Sequence, residues 1–231
     1  MAEITKDSNE HSSIENVGQA FTKAELFIEK NQKILTIIVL AIIVVIGGFY
    51  SYKKFYIAPL EKEAQSQMFV AEQYFEKDSF NLALNGDGNN FGFLKIIDEY
   101  SSTKAGNLAE YYAGICFLHT GKFQKAIDKL EKFSADDKLV SPIAFGATGD
   151  AYVELGNKEK GLNLYLKAAK KENDFTSPIY YMKAGLIAEQ LGKNKEALDA
   201  YNTIKEKYSR SYEGRQIVKY ITRAQLNLNK K

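Results

Sequence analysis

The chain has 231 residues, and its 31 lysines and arginines against 29 aspartates and glutamates leave a net charge of only +2. This balance argues against a general nucleic-acid-binding protein, which carries a basic excess. Hydrophobic residues make up 45% of the chain, which excludes disorder throughout, and the single cysteine excludes an internal disulfide and a multi-cysteine zinc site.

Residues 1–32 are polar and are predicted to form a tail outside the folded domain. The first thirteen residues are typical of a mobile terminus. From Ile14 onward, apolar residues at helical spacing predict a short helix that extends into the next segment. Docking at a membrane interface and contact with a partner remain alternative roles for this helix.

A strongly apolar segment follows, and residues 33–52 are predicted to form a transmembrane helix. The 19 residues from Ile34 to Tyr52 carry no charge and would make a helix of about 28 Å, close to the thickness of a bilayer core. Residues 53–59 then form a juxtamembrane linker. Its two lysines lie between the aromatic residues at 49–52 and those at 55–56, and both residue types are favoured at the headgroup layer. A buried core helix and a cleaved signal peptide are the alternatives. Lysines flank both sides equally, so charge does not predict the orientation.

Residues 60–231 are predicted to form one folded domain with internal repeats. The tripeptide Ser141-Pro142-Ile143 recurs 36 residues later as Ser177-Pro178-Ile179. Three further sets of residues keep nearly the same spacing: Gly114, Gly149 and Gly185; Gly121, Gly156 and Gly192; and Ala126, Gly161 and Ala197. Large residues follow in register at Leu130, Tyr165 and Tyr201. This pattern predicts a helix–turn–helix unit repeated along the chain.

The repeated unit resembles the tetratricopeptide repeat (TPR) family. The resemblance implies that the small residues let the two helices of a unit touch and that the large ones fill the space between them. Glu110 departs from the pattern, because a large apolar residue is usual at its position. Residues 60–104 are predicted to form a degenerate fourth unit with a loop at Asn85–Gly92. Residues 211–228 are predicted to form a last helix whose polar face caps the open end of the solenoid. Its apolar face consists of Ile217, Tyr220, Ile221, Ala224 and Leu228. The predicted fold class is therefore all-α: one transmembrane helix followed by a TPR-like α-solenoid.

No residue pattern predicts catalysis, a metal site or a cofactor. The loop at Asn85–Gly92 lacks the spacing of a phosphate-binding loop and the ligand set of a calcium loop, so a long turn is the better interpretation. Cys116 is predicted to be an inert core thiol, and His119 to end a helix. We therefore expect a protein that is not an enzyme and takes no small-molecule substrate.

The TPR resemblance implies a concave face lined by the first helix of each unit. On that face we predict partner contacts from Leu108, Tyr111, Ile115, Leu118, Asp150, Val153, Glu154, Met182, Leu186 and Glu189. The neighbouring positions are His119, Ile143, Gly146, Ile179 and Gln190. This face is apolar with acidic edges and suits a hydrophobic or basic partner segment. The alternative is that the N-terminal unit or the capping helix covers part of it.

The whole chain is similar to the YfgM-type proteins, ancillary subunits of the bacterial SecYEG translocon. The specific part of the likeness is the segment FIEKNQK, the apolar span and the exit GGFYSYKK. The resemblance implies a bacterial inner-membrane protein with a cytoplasmic N-terminus and a periplasmic repeat domain. It also implies partnership with SecYEG and a membrane-anchored periplasmic chaperone of the PpiD type. An adaptor for outer-membrane assembly or cell division, and an envelope stress regulator, are the alternatives.

Overall fold

The structure, a computed structural model, describes the backbone of residues 4–229 and the side chains of residues 27–229. Within these residues every regular element is a helix, and the only β pairing is an isolated bridge between Gly86 and Phe91. The predicted all-α class is confirmed. The chain divides between Ala58 and Pro59 into two compact units, which are described separately below.

The first unit is dominated by α1, which runs from Ile4 to Tyr52. The helix begins ahead of the Ile14 start predicted from the sequence, and no proline before Pro59 interrupts it. The side chains of residues 1–26, which make up most of the predicted tail, lie outside the described set.

The apolar stretch of α1 is exposed along its described length. Among the described residues, a single helical stretch, Phe27–Glu76, contains a segment long and apolar enough to cross a membrane. None of that segment is buried, and side chains such as Ile37 and Val44 are 66% and 72% exposed. A buried core helix does not fit this exposure, whereas a lipid-facing helix does.

A π-helical turn, Lys53–Ile57, follows α1 where the sequence predicts a linker with a break near Pro59. The next helix, α2, spans Ala58–Glu76, so Pro59 lies in its first turn. A proline is tolerated there because the backbone N–H that it lacks would have no partner within the helix. The discontinuity is therefore a change of helix type, with no residue outside helical structure.

The second unit, called the repeat domain below, consists of ten helices among the described residues 59–229. They are α2; α3, Phe80–Asn85; α4, Phe93–Tyr100; α5, Lys104–His119; α6, Phe123–Leu130; α7, Val140–Glu154; α8, Lys158–Ala169; α9, Ser177–Gln190; α10, Asn194–Lys207; and α11, Tyr212–Asn229. The pairs α5–α6, α7–α8 and α9–α10 are the three predicted repeat units.

Glycine ends the first helix of each pair, as the repeat spacing predicts. Gly121, Gly156 and Gly192 have φ angles of +72°, +83° and +71°, a left-handed conformation that other residues adopt only with strain. In each case the second helix starts within a few residues, which fixes an antiparallel pair.

Glycine also sets the contact between the two helices of each pair. A methyl group added at Gly114 would lie 2.5 Å from Leu130, and one added at Gly149 or Gly185 would lie 2.9 or 2.2 Å from the rings of Tyr165 or Tyr201. The TPR pattern of a small residue facing a large one is therefore present in all three units. Glu110, which departs from the pattern, is buried and pairs with Lys129 of α6 at 3.2 Å.

The N-terminal helices α2, α3 and α4 close one end of the repeats. Ala64, Met68 and Ala71 of α2 are buried in the same core cluster as Phe93 and Ile96 of α4. A Glu61 carboxylate oxygen accepts hydrogen bonds from the Lys104 and Ala105 N–H groups at 2.6 and 3.3 Å. These N–H groups begin α5 and have no hydrogen-bond acceptor within the helix. The sequence predicts the helices at both ends of this region, but not the short helix α3 between them.

The last helix, α11, begins in the same way as α5. The Gly214 N–H donates to Ser211 Oγ, and the Gly106 N–H donates to Thr103 Oγ1, both at 2.9 Å. A methyl group on either glycine would collide with the carbonyl oxygen of Tyr208 or Tyr100. The helix buries Ile217, Ile221 and Ala224 of its predicted apolar face. The start of α11 therefore resembles the start of the first helix of a repeat unit.

Candidate functional site: the groove along the first helices of the repeats

The residues predicted to contact a partner fall into two groups. Ile115 and Met182 are each only 9% exposed and belong to core clusters. The others are half-buried or exposed: Leu108, Tyr111 and Leu118 on α5, Asp150, Val153 and Glu154 on α7, and Leu186 and Glu189 on α9. We define this second group as the groove residues. The structure places them on three first helices of successive repeats.

Of the neighbouring positions, Gly146 is buried and Ile179 is 41% exposed. Gly146 is buried because the ring of Tyr180 lies directly over its α-carbon, where a methyl group would be 2.0 Å from the ring. Ile143 is half-buried, whereas His119 and Gln190 are exposed. Ile179 therefore joins the accessible positions on α9.

The groove is partly covered at its first repeat. The ring of Tyr111 packs against Phe133, with centroids 5.3 Å apart, and the His119 ring stacks on Phe80 of α3 at 4.6 Å. Burial, followed by the nearby Tyr112 hydroxyl, raises the pKa of Tyr111. Tyr111 is therefore covered by the segment that follows α6, whereas His119 stays exposed beside α3.

A polar cluster joins three helices in the middle of the groove. Asp150 on α7 accepts hydrogen bonds from the Tyr165 hydroxyl of α8 at 2.5 Å and from Lys183 Nζ of α9 at 2.7 and 2.8 Å. Burial first, and then the Asp150 carboxylate, raise the pKa of Tyr165, so its hydroxyl stays protonated and donates. The cluster positions the second and third repeats relative to each other.

A second cluster repeats this arrangement at the next pair of helices. Glu189 on α9 accepts hydrogen bonds from the Tyr201 hydroxyl at 3.1 Å and from Arg223 Nε of α11 at 3.0 Å. The Glu189 side chain is only 12% exposed. Both carboxylates are therefore neutralised by cations of the following repeat.

These ion pairs make the groove less acidic than the sequence predicts. Of the three predicted acidic groove residues, Asp150 and Glu189 are paired, and only Glu154 has no ion pair with another described residue. The acidic edge is reduced to one exposed carboxylate. Sequence spacing within a unit does not reveal this, because each cation belongs to the next unit.

The outward face of α11 is less polar than the sequence predicts. A polar face is expected on this capping helix, but Val218 and Leu226 are 61% and 56% exposed there. Both residues were visible in the sequence outside the apolar stripe of Ile217, Ile221 and Ala224. The helix therefore adds an accessible apolar surface next to Arg223.

Cys116 and the glycine-containing loop serve structural purposes. Cys116 is fully buried, and burial raises the pKa of its thiol to about 12, so it is not a ready nucleophile. In the loop, Asp87 accepts hydrogen bonds from the Asn89 and Asn90 N–H groups, the Asn90 side chain and the Tyr74 hydroxyl, at 2.7 to 2.9 Å. The described residues contain no group of three or more potential metal ligands.

Comparison with known proteins supports the repeat assignment. Residues 180–211, from α9 to the start of α11, match the tetratricopeptide repeat family TPR_6. The TPR-like repeats of a kinesin light chain-type protein from Podosopora anserina superimpose with a TM-score of 0.55 at 12% identity, over 74% of this chain and 89% of that one. The repeat domain has the TPR fold.

A crystal structure of MamA is also similar, with a TM-score of 0.50 and 20% identity over 70% of this chain and 95% of MamA. At these identities the likeness concerns the fold alone. Comparison with curated proteins gives no matching sequence. The TPR fold is a non-enzymatic scaffold type that generally binds other proteins, usually along its concave face.

Proposed function

We propose that this protein is a membrane-anchored TPR scaffold that binds an extended, largely apolar segment of a partner protein. The observation that carries the proposal is the row of accessible apolar side chains on successive first helices, at Leu118, Val153, Leu186 and Ile179. Such a row suits an extended segment, because each repeat offers a contact to the next few residues of the partner.

The anchor in this proposal is α1. Its apolar side chains are exposed over a length that matches a bilayer core. An anchored scaffold meets membrane partners at a high effective concentration, so even a modest groove affinity is sufficient.

We further propose that the scaffold assists Sec-dependent translocation in the bacterial inner membrane. The support is the resemblance to YfgM-type proteins, which implies a cytoplasmic N-terminus, a periplasmic repeat domain and partnership with SecYEG and a PpiD-type chaperone. The groove chemistry is compatible with this role, since a newly translocated chain is extended and exposes apolar side chains. Transfer of such chains from the translocon to the chaperone is the proposed activity.

Crosslinking in intact membranes, followed by affinity purification and mass spectrometry, tests this function. Recovery of translocon subunits together with a membrane-anchored periplasmic chaperone is the expected result. Recovery of an outer-membrane assembly or cell-division complex without the translocon would contradict the export role. The proposed scaffold function would still stand. A chain without residues 1–32 that has the same partners and stress response as the full chain would exclude the stress-regulator alternative.

A further inference from the structure

A pocket of about 380 Å³ opens on the groove between the first and second repeats. Its wall contains the apolar side chains of Leu118, Phe123 and Val153, and its polar groups come from Asp150, Glu154 and Tyr165. All three apolar residues are only half-buried, so they keep accessible surface towards the pocket. The pocket offers a long side chain an apolar wall and an acidic edge.

The two carboxylates of the pocket are not equivalent. Asp150 is neutralised by Lys183 and hydrogen-bonded by Tyr165, as described above. Glu154 is exposed at the end of α7, and no lysine, arginine or histidine of the described residues lies within ion-pair distance of it. The pocket therefore carries one carboxylate without a counter-charge.

Apolar walls beside an unpaired carboxylate match the chemistry of a lysine or arginine side chain. Such a side chain packs its methylene groups on apolar surface and keeps its charged end at the edge. An aromatic ring such as Phe123 also attracts a cation placed over its face. Lys183 already shows this behaviour in the adjoining cluster, where its Nζ lies 5.5 Å from the centre of the Tyr165 ring and bonds Asp150.

Building on the proposed function, we propose that the partner segment inserts a lysine or arginine into this pocket and pairs it with Glu154. The flanking residues of the segment are apolar and contact the remaining groove residues. The pocket thus sets which part of an apolar segment binds, because only a position with a basic side chain satisfies the carboxylate.

The test uses the full chain in intact membranes, with the photo-crosslinking amino acid benzoylphenylalanine at Leu186, outside the pocket. Glu154→Lys in this background is expected to lower the crosslink yield about tenfold, because it places a cation where the partner's cation binds. Asp199→Lys, at an exposed position of α10, is the matched control and is expected to leave the crosslink yield unchanged. Glu154 is exposed and lacks a described ion-pair partner, so both variants are expected to unfold at the wild-type temperature.

Mapping the crosslinked peptide by mass spectrometry identifies the partner segment and its basic residue. Replacing that residue with glutamate is expected to restore crosslinking to the Glu154→Lys chain. An attached segment without lysine or arginine, or an unchanged yield with Glu154→Lys, would overturn this inference and leave the groove function intact. Absence of any crosslink from Leu186 would overturn the groove function itself.

Discussion

Single small residues decide how closely the helices of a repeat approach each other. Ala126 is fully buried in α6, and its carbonyl oxygen lies 3.3 Å from the position that a methyl group on Gly114 would occupy. Because the backbones meet here, side-chain volume at this point has no space to expand into. The sequence already predicts this contact, since small residues recur at 114, 149 and 185 in register with 126, 161 and 197.

Ala126→Leu is therefore expected to lower the free energy of unfolding by about 1–3 kcal/mol, the usual cost of overpacking a core. Lys125→Leu adds the same side chain one residue earlier at an exposed position and is the control. Urea unfolding of the protein in nanodiscs, followed by circular dichroism, measures both. Equal stability of the two variants would contradict the close-packing account.

Asp87 gives the stability of the loop at Asn85–Gly92 a pH dependence. Hydrogen bonds from the Asn90 side chain and backbone, from Tyr74 and from Asn89 hold the pKa of the Asp87 carboxyl well below its usual range. A carboxyl group whose pKa is depressed by folding stabilises the protein above its unfolded pKa, near 3.9, and loses that contribution as the pH falls further.

Asp87→Asn is expected to destabilise the protein at pH 7, and the difference from wild type is expected to shrink as the pH falls below about 4. Unfolding measured by urea titration at a series of pH values tests this expectation, with Asp199→Asn as an exposed control. A difference that stays constant from pH 7 to pH 3 would show that the Asp87 charge contributes nothing.

At the scale of the elements, α11 protects the end of the repeats. Its buried residues Ile217, Ile221 and Ala224 share a core cluster with Ile204 and Tyr208 of the preceding repeat. A terminal helix of this kind is needed because an open repeat end would expose its core to water.

Ile217→Ala is expected to cost about 2–5 kcal/mol of stability, the range for truncating a buried isoleucine. Ile217 is 1% exposed, whereas the adjacent Val218 is 61% exposed, so Val218→Ala is the matched control. We expect Val218→Ala to change stability by less than about 0.5 kcal/mol. Thermal unfolding distinguishes the two, and a similar loss for both would contradict the observed orientation of α11.

The helices that repeat in the sequence are also those that the sequence predicts best. Periodic apolar residues and closing glycines locate α5 to α11, because the same residue types form the same helix–helix contacts in each repeat. The short helix α3 and the π-helical turn Lys53–Ile57 have no repeated counterpart and no distinct residue signal. Helix α3 buries Ala83 and Leu84 in the core cluster, a tertiary contact that sequence periodicity does not reveal.

The groove is predicted less completely than the fold. Its apolar residues follow from the TPR register, but its charge depends on Lys183 and Arg223, which reach back from the following repeat. The burial of Ile115 and Met182 likewise depends on neighbouring units, which a single repeat does not contain. A pattern within one unit therefore overstates both the acidity and the apolar area of the groove.

In the whole molecule, the proposed role of α1 is to hold the repeat domain at a membrane. Replacing Ile42 and Ile43 with arginine adds about 5–7 kcal/mol to the cost of insertion. The apolar residues from Ile34 to Tyr52 together contribute a gain of only about 4–7 kcal/mol, so the variant loses most or all of it. We expect this variant to leave the carbonate-resistant membrane fraction. Phe69→Arg, at a 59% exposed position of α2, is the control and is expected to remain in that fraction.

Partner recovery from membranes, compared between groove and non-groove variants, tests whether the partner binds in the groove. Leu186→Asp and Ile179→Asp place a charge in the groove, whereas Asn163→Asp places one at an exposed position of α8. We predict that both groove variants lose the crosslinked partner while remaining folded by circular dichroism and staying in the membrane fraction, and that Asn163→Asp retains the partner. Full partner recovery by the folded groove variants, or an equal loss in all three, would contradict a scaffold that binds through this groove.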